Sequence, residues 1–248
     1  MVIDTSDVTI AVAGAPMRCV VTAPRTGGPY PGILLYSDIF QLTPSTLRCA
    51  ARLAGYGFVV LAPEIWHRVE RPGAAIAFDD AGRTRGSDDA KKTAVAEIDA
   101  DCRAALESLA ALPNVDAARI GVAGFCIGGH LAFRAALQPE VRAAACFYPT
   151  GLHNGELGQD EDAKTLARCG ELGGALLIVF GSNDPHVPAE GRAAIDAALR
   201  AAGTHYTISL YDAEHAFMRD EGPRYDPELT DKAWAQAIAF FRQVLSSA

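Results

Sequence analysis

Six short apolar runs, "ILLY", "FVVLA", "IGVAGF", "AAACF", "ALLIVF" and "YTISLY", are spaced along the chain with helical patterns between them. Each is too short for a helix, and most are apolar throughout, as in strands buried on both faces. Strands that alternate with helices pair in parallel through crossovers, which predicts an α/β fold with helices on both sides of one sheet. Upstream, "VTIAVAG" and "APMRCVVTAP" alternate in part and meet at Gly14, as two half-exposed antiparallel strands do. The expected architecture is therefore a mostly parallel central sheet of about eight strands.

Between the strands, Pro44–Ala54 reads as a helix capped by Thr43. Lys91–Leu112 reads as a long amphipathic helix with Val95, Ile98, Cys102, Leu106 and Leu109 on one face, and "DEDAKTLARCG" as a short one. "GGHLAFRAAL", "PAEGRAAIDAALRAAG" and Pro227–Val244 complete the set. Residues 64–90 have no sustained period and read as a surface excursion of functional type. No repeat or composition break divides the chain, so 1–248 is expected to be one domain.

Half the 248 residues are hydrophobic and 21% are charged, enough for a large core. The net charge of −8 argues against a nucleic-acid-binding face, and no apolar run is long enough to cross a bilayer. Six cysteines without a C-x-x-C pair, and no secretory signal, predict free thiols in the cytoplasm and no metal site.

Within this frame one motif carries chemistry. "RIGVAGFCIGGHLAF" puts Gly124-Phe125-Cys126-Ile127-Gly128 at the junction of a strand and a helix. Hydrolases of the α/β class place G-x-S-x-G there, with small neighbours around a nucleophile on a sharp turn. A helix N-terminus also favours negative charge on a thiol. The next strand ends carry Asp184 in "GSNDPHVP" and His215 in "YDAEHAF", giving the order nucleophile, acid, histidine. Each residue alone has an ordinary explanation: a buried thiol, a turn aspartate, a surface histidine. Their conjunction at successive strand ends points to a triad, with His215 as base and Asp184 as its orienter.

The motifs "GFCIGG", "GSNDPHVP" and "YDAEHAFMR", with "YSDIF" and the "APE" strand end, resemble those of the dienelactone hydrolases (carboxymethylenebutenolidases) over nearly the whole chain. The resemblance implies an α/β-hydrolase fold and a Cys126-Asp184-His215 triad that opens an enol-lactone in aromatic catabolism without a cofactor. It implies that the N–H groups of Ile127 and Ile39 form the oxyanion hole. Asp38 would activate the thiol, standing where the best-known members carry glutamate. Arg219 would hold the substrate carboxylate, with a second arginine from Arg68, Arg71, Arg83 or Arg85, of which Arg83 and Arg85 are the candidates carried forward. Tyr148 would line the pocket.

His67, Trp66 and His186 could reach the cleft, while His130 reads as structural. A small lactone or ester is the expected partner, with neither nucleic acid nor membrane involved, in a monomer or homodimer. Two alternatives stay open: a broader esterase or thioesterase with the same triad, and a redox-responsive thiol protein.

Overall fold

A computed structural model of the chain describes residues 1–160 and 162–246. Strands β1 (Ile3–Val12) and β2 (Ala15–Pro24) form the expected hairpin, and β2 pairs antiparallel with β4 (Val59–Pro63). From β4 the sheet is parallel, through β3 (Tyr30–Tyr36), β5 (Val115–Phe125), β6 (Val141–Phe147), β7 (Ala175–Gly181) and β8 (Tyr206–Tyr211). The spatial order is β1-β2-β4-β3-β5-β6-β7-β8.

The sheet divides the core in two. Alternate residues of one strand face opposite sides, so Leu34, Val122, Ile178 and Phe180 pack against α3 (Val95–Ala110), α4 (Ile127–Ala135) and α5 (Ala189–Ala201). Ile33, Leu35, Ala123, Leu177 and Val179 pack on the other face against α1 (Pro44–Gly55) and α6 (Pro227–Val244). Two buried faces explain why these strands read as unbroken apolar runs rather than as alternating ones. Thr43 caps α1, its hydroxyl accepting from the Thr46 N–H at 3.5 Å.

Three expectations need correction. The stretch 64–90 is not wholly irregular, because it contains helix α2 (Asp80–Lys91), capped by Asp79, whose carboxylate accepts from Gly82 N at 2.7 Å. Its inward face is made largely of small residues, including Gly82, Gly86 and Ala90, so no apolar period is written into the sequence. At Gly86 the helix backbone presses on the segment after β3, where an added Cβ would lie 2.4 Å from the Ile39 carbonyl oxygen.

The helix expected over Lys91–Leu112 begins only at Val95, because α2 claims Lys91. The Thr93 hydroxyl donates back to the Asp89 carbonyl at 3.0 Å, and the Glu97 carboxylate accepts from Ala94 N at 3.0 Å. These two side chains end one helix and start the next. The short helix expected at "DEDAKTLARCG" is a 3₁₀ turn at Leu166–Glu171; Glu161 lies outside the described residues.

Candidate active site

Strand β5 ends at Phe125 and α4 starts at Ile127, leaving Cys126 between them at φ 57°, ψ −124°. This is the backbone of the first central residue in a type II′ turn, a conformation glycine dominates. A cysteine is held in it because its surroundings over-determine it. Its N–H donates to Phe147 O at 3.1 Å, and its carbonyl accepts from Gly129 N at 2.9 Å and Thr150 N at 3.2 Å. The flanking glycines are required by contact: a Cβ at Gly124 would sit 1.9 Å from Gly128 O, and one at Gly128 2.1 Å from Ser37 O. Gly128→Ala is expected to cost about 3 kcal/mol in chemical denaturation, since backbone on the other side must move.

Beyond β7, Asp184 is buried and its Oδ2 lies 2.7 Å from His215 Nδ1. Its Oδ1 accepts from His186 N at 2.8 Å, so both carboxylate oxygens are held. Burial works against this charge, but the hydrogen bond and charge of His215 outweigh it and keep the carboxyl below its usual range. His215 follows β8. Burial pushes its imidazole down, while the nearby Cys126 sulfur, negative when deprotonated, and Asp184 raise it to about 10. With Nδ1 committed to Asp184, Nε2 is the nitrogen left for the sulfur. The ring is fixed edge-on between Tyr148, 5.1 Å away, and His186, 4.6 Å away. His186 is itself held below its usual pKa by burial and by its charged neighbour His215.

These groups open into a cleft of about 1130 Å³ that also takes in Ile39, Ile127, Phe40, Phe78, Arg83 and Arg219. Ile127 heads α4, where the first N–H groups lack helical partners. In the turn after β3, Phe40 N and Gln41 N bond to Asp38, whereas Ile39 N has no partner among the described residues. Two amides suited to an oxyanion thus border the cleft beside Cys126. Trp66 is not in the cleft but supports it from behind, its indole N–H donating to Ile39 O at 3.1 Å.

The structure brings Arg219 into the cleft and leaves it only 5% exposed. One nitrogen, Nη2, donates to Asp38 Oδ2, while Nε and Nη1 have no partner among the described residues. The guanidinium lies over the rings of Phe40 and Phe78, at 5.0 and 4.6 Å from their centres.

Asp38, the expected activator of the thiol, lines the cleft with Cys126 and is engaged twice, by Arg219 and by Phe40 N at 3.0 Å. The hydroxyl of Thr150 is the group near the sulfur, at 3.4 Å. Arg83 lines the cleft and pairs with Asp80. Arg85 does not line it; it pairs with Glu70 at 2.5 Å. Arg68 is likewise drawn off, with Nη2 2.7 Å from Asp101 and Nη1 2.7 Å from His67. Tyr148 sits behind His215 rather than on the wall of the main cleft. His130 is fully buried against Thr165 at 2.8 Å, and burial holds it neutral, down to about 3. Sequence reasoning missed Thr150, the Phe40–Phe78 pair against Arg219 and the placement of α2 over the cleft. The only signal was the absence of any apolar partner face for residues 64–90.

A parallel sheet with a strained G-x-C-x-G turn after β5, an acid after β7 and a histidine after β8 has the architecture of the α/β-hydrolases. Within that class the chain belongs to the dienelactone hydrolase family, whose sequence pattern matches residues 17–245. A Saccharomyces cerevisiae relative, provisionally named carboxymethylenebutenolidase, is 37% identical over 227 residues, covering 88% of this chain and 83% of its own. The carboxymethylenebutenolidase of Pseudomonas sp. (strain P51) is 28% identical over 217 residues, covering 86% and 85% of the two chains. A crystal structure from Klebsiella pneumoniae, provisionally named dienelactone hydrolase, is similar in fold, with a TM-score of 0.85 at 24% identity, covering 98% of this chain and 100% of that one. Membership of this family makes the protein a hydrolase. No helix among the described residues is long and apolar enough to cross a membrane.

Proposed function

We propose that this hydrolase opens an ester-type bond in a small carboxylic acid, an enol-lactone of the kind formed when aromatic rings are degraded. Cys126 is the nucleophile, His215 the proton carrier and Asp184 its orienter. The observation that carries the substrate class is Arg219: two guanidinium nitrogens, Nε and Nη1, without a partner among the described residues, packed against the edge-to-face pair of Phe40 and Phe78 in the cleft that holds Cys126. Buried donors without partners are costly unless a ligand fills them, and a carboxylate supplies both the acceptors and the negative charge that a guanidinium lacks there.

The chemistry follows from the coupling of His215 to the sulfur. With the sulfur negative, the imidazole keeps its proton, so the reacting form of the pair is thiolate and imidazolium. The sulfur attacks the lactone carbonyl, a C–S bond forms, and the N–H groups of Ile127 and Ile39 receive the oxyanion. Collapse breaks the ring C–O bond; the enolate leaves and takes the proton of His215. The sulfur is now neutral in a thioester, so the charge that held the proton on His215 is gone. The neutral imidazole then accepts a proton from water. Hydroxide adds to the acyl carbon, the C–S bond breaks with its electrons returning to sulfur, and the starting pair is restored.

The test is steady-state hydrolysis of a carboxylate-bearing dienelactone beside a neutral nitrophenyl ester of similar size. The expected result is a kcat/KM at least about 100-fold higher for the charged lactone, the worth of two charge-assisted hydrogen bonds. Preference for the neutral ester would shift the reading to a broader esterase. One observation favours keeping that second reading: the cleft, about 1130 Å³, is at the upper end of small-molecule sites. All six cysteines are free, which suits the reducing conditions of a cytoplasm.

A further inference from the structure

Thr150 touches Cys126 twice. Its N–H donates to the Cys126 carbonyl at 3.2 Å, which ties the loop after β6 to the strained turn. Its hydroxyl oxygen lies 3.4 Å from the sulfur, within reach of an O–H···S bond. The hydroxyl's other acceptor is the Tyr148 carbonyl, at 3.5 Å. That loop is anchored in turn to β7, where Tyr148 N donates to Val179 O at 2.7 Å. Among the described residues no other side chain offers the sulfur a hydroxyl in this way, and Asp38 is occupied by Arg219 and Phe40 N.

We infer that Thr150 is a positioning residue whose hydroxyl donates to the Cys126 sulfur when it is negative, both as the attacking nucleophile and as the group expelled when the thioester is hydrolysed. This rests on the reading of Cys126 as nucleophile. A hydroxyl between two acceptors turns to the stronger one. It donates to the sulfur while the sulfur is negative, and to the Tyr148 carbonyl once acylation has made the sulfur a poor acceptor. The interaction therefore follows the charge. On hydrolysis of the thioester the C–S electron pair returns to a sulfur that already has a donor beside it. His215 stands on the other side as the second donor.

The test is the pH dependence of iodoacetamide alkylation at the Cys126 peptide, read by mass spectrometry so that the other five thiols do not interfere. The charged or titratable groups facing the sulfur are His215, with His186 against its ring, and Asp38, Arg219 and Tyr148. None of them is altered in the variants used. Thr150→Val keeps the shape and the backbone bond but removes the hydroxyl. It is expected to move the midpoint of the alkylation profile up by about one pH unit and to lower kcat at neutral pH about tenfold, with KM little changed. Thr150→Ser, which keeps the hydroxyl, is expected to retain the wild-type profile. If valine disturbs the loop, Thr150→Ala gives the same comparison. A profile for the hydroxyl-free variant that coincides with wild type, or a serine profile displaced as far as valine's, overturns the inference. If Cys126→Ala is inactive in the same assays, the reading of Cys126 stands whatever Thr150 does; turnover surviving in Cys126→Ala would remove that reading itself.

Discussion

Cys126→Ala is expected to lower kcat/KM about 10⁴-fold or more for both lactone and ester, because in the proposed mechanism Cys126 forms the acyl-enzyme. The same variant reports on the physics of the site through His215. In the intact protein the cost of burial is overcome by the sulfur and Asp184, which raise the imidazole from an ordinary 6.5 to about 10. Removing the sulfur leaves Asp184 as support, so an NMR titration of His215 in Cys126→Ala should move down well clear of 10. The sign for stability follows. A group whose pKa is raised on folding stabilises the protein fully below its unfolded value and loses that contribution as the pH rises through the folded one. Wild-type stability should therefore decline as pH passes about 10, and the decline should shift to lower pH in the alanine variant. A His215 titration that does not move would mean that the sulfur and the imidazole are not paired.

Arg219→Met has the second large effect, and it acts in two measurable ways. Methionine fills the space beside Phe40 and Phe78 but leaves Asp38, 8% exposed, without its cation. Breaking a buried pair from one side typically costs 3–5 kcal/mol; the bond from Phe40 N keeps Asp38 partly satisfied, so the expected loss in denaturant unfolding is about 3 kcal/mol. Independently, the preference for a charged lactone over a neutral ester should collapse by about 100-fold in kcat/KM ratio. The double variant Arg219→Met with Asp38→Asn separates the two. It should recover most of the stability, since neither charge is then stranded, and none of the substrate preference. Recovery of both would assign Arg219 a purely structural role.

Much of the fold was legible because its signals are local. The apolar runs that became β3 to β7 owe their composition to burial on two faces, and the helix bounds at Pro44 and Pro227 are written as Thr43-Pro44 and Asp226-Pro227 caps. Helix α2 was not legible, because it buries glycine and alanine rather than a stripe of large apolar side chains. The turn around Cys126 could be read from its glycines, since each one answers to a carbonyl oxygen only about 2 Å from where a Cβ would stand.

What the chain alone determined is the order of chemistry along it: a thiol on a strand-to-helix turn, then an acid, then a histidine, each just beyond the end of a strand. Short-range steric and hydrogen-bonding preferences are enough for that. Which of these ends become neighbours was decided by the strand order. It brings the loop after β3 alongside the turn after β5, and folds Arg219 onto Asp38 across 181 residues of sequence. The packing of Arg219 against Phe40 and Phe78, its pairing with Asp38, and the seating of Thr150 against the sulfur are tertiary facts of the same kind. Side-chain identity states what a residue can bond to. Only the packed sheet, by setting which loops share one edge, determines which partner it meets.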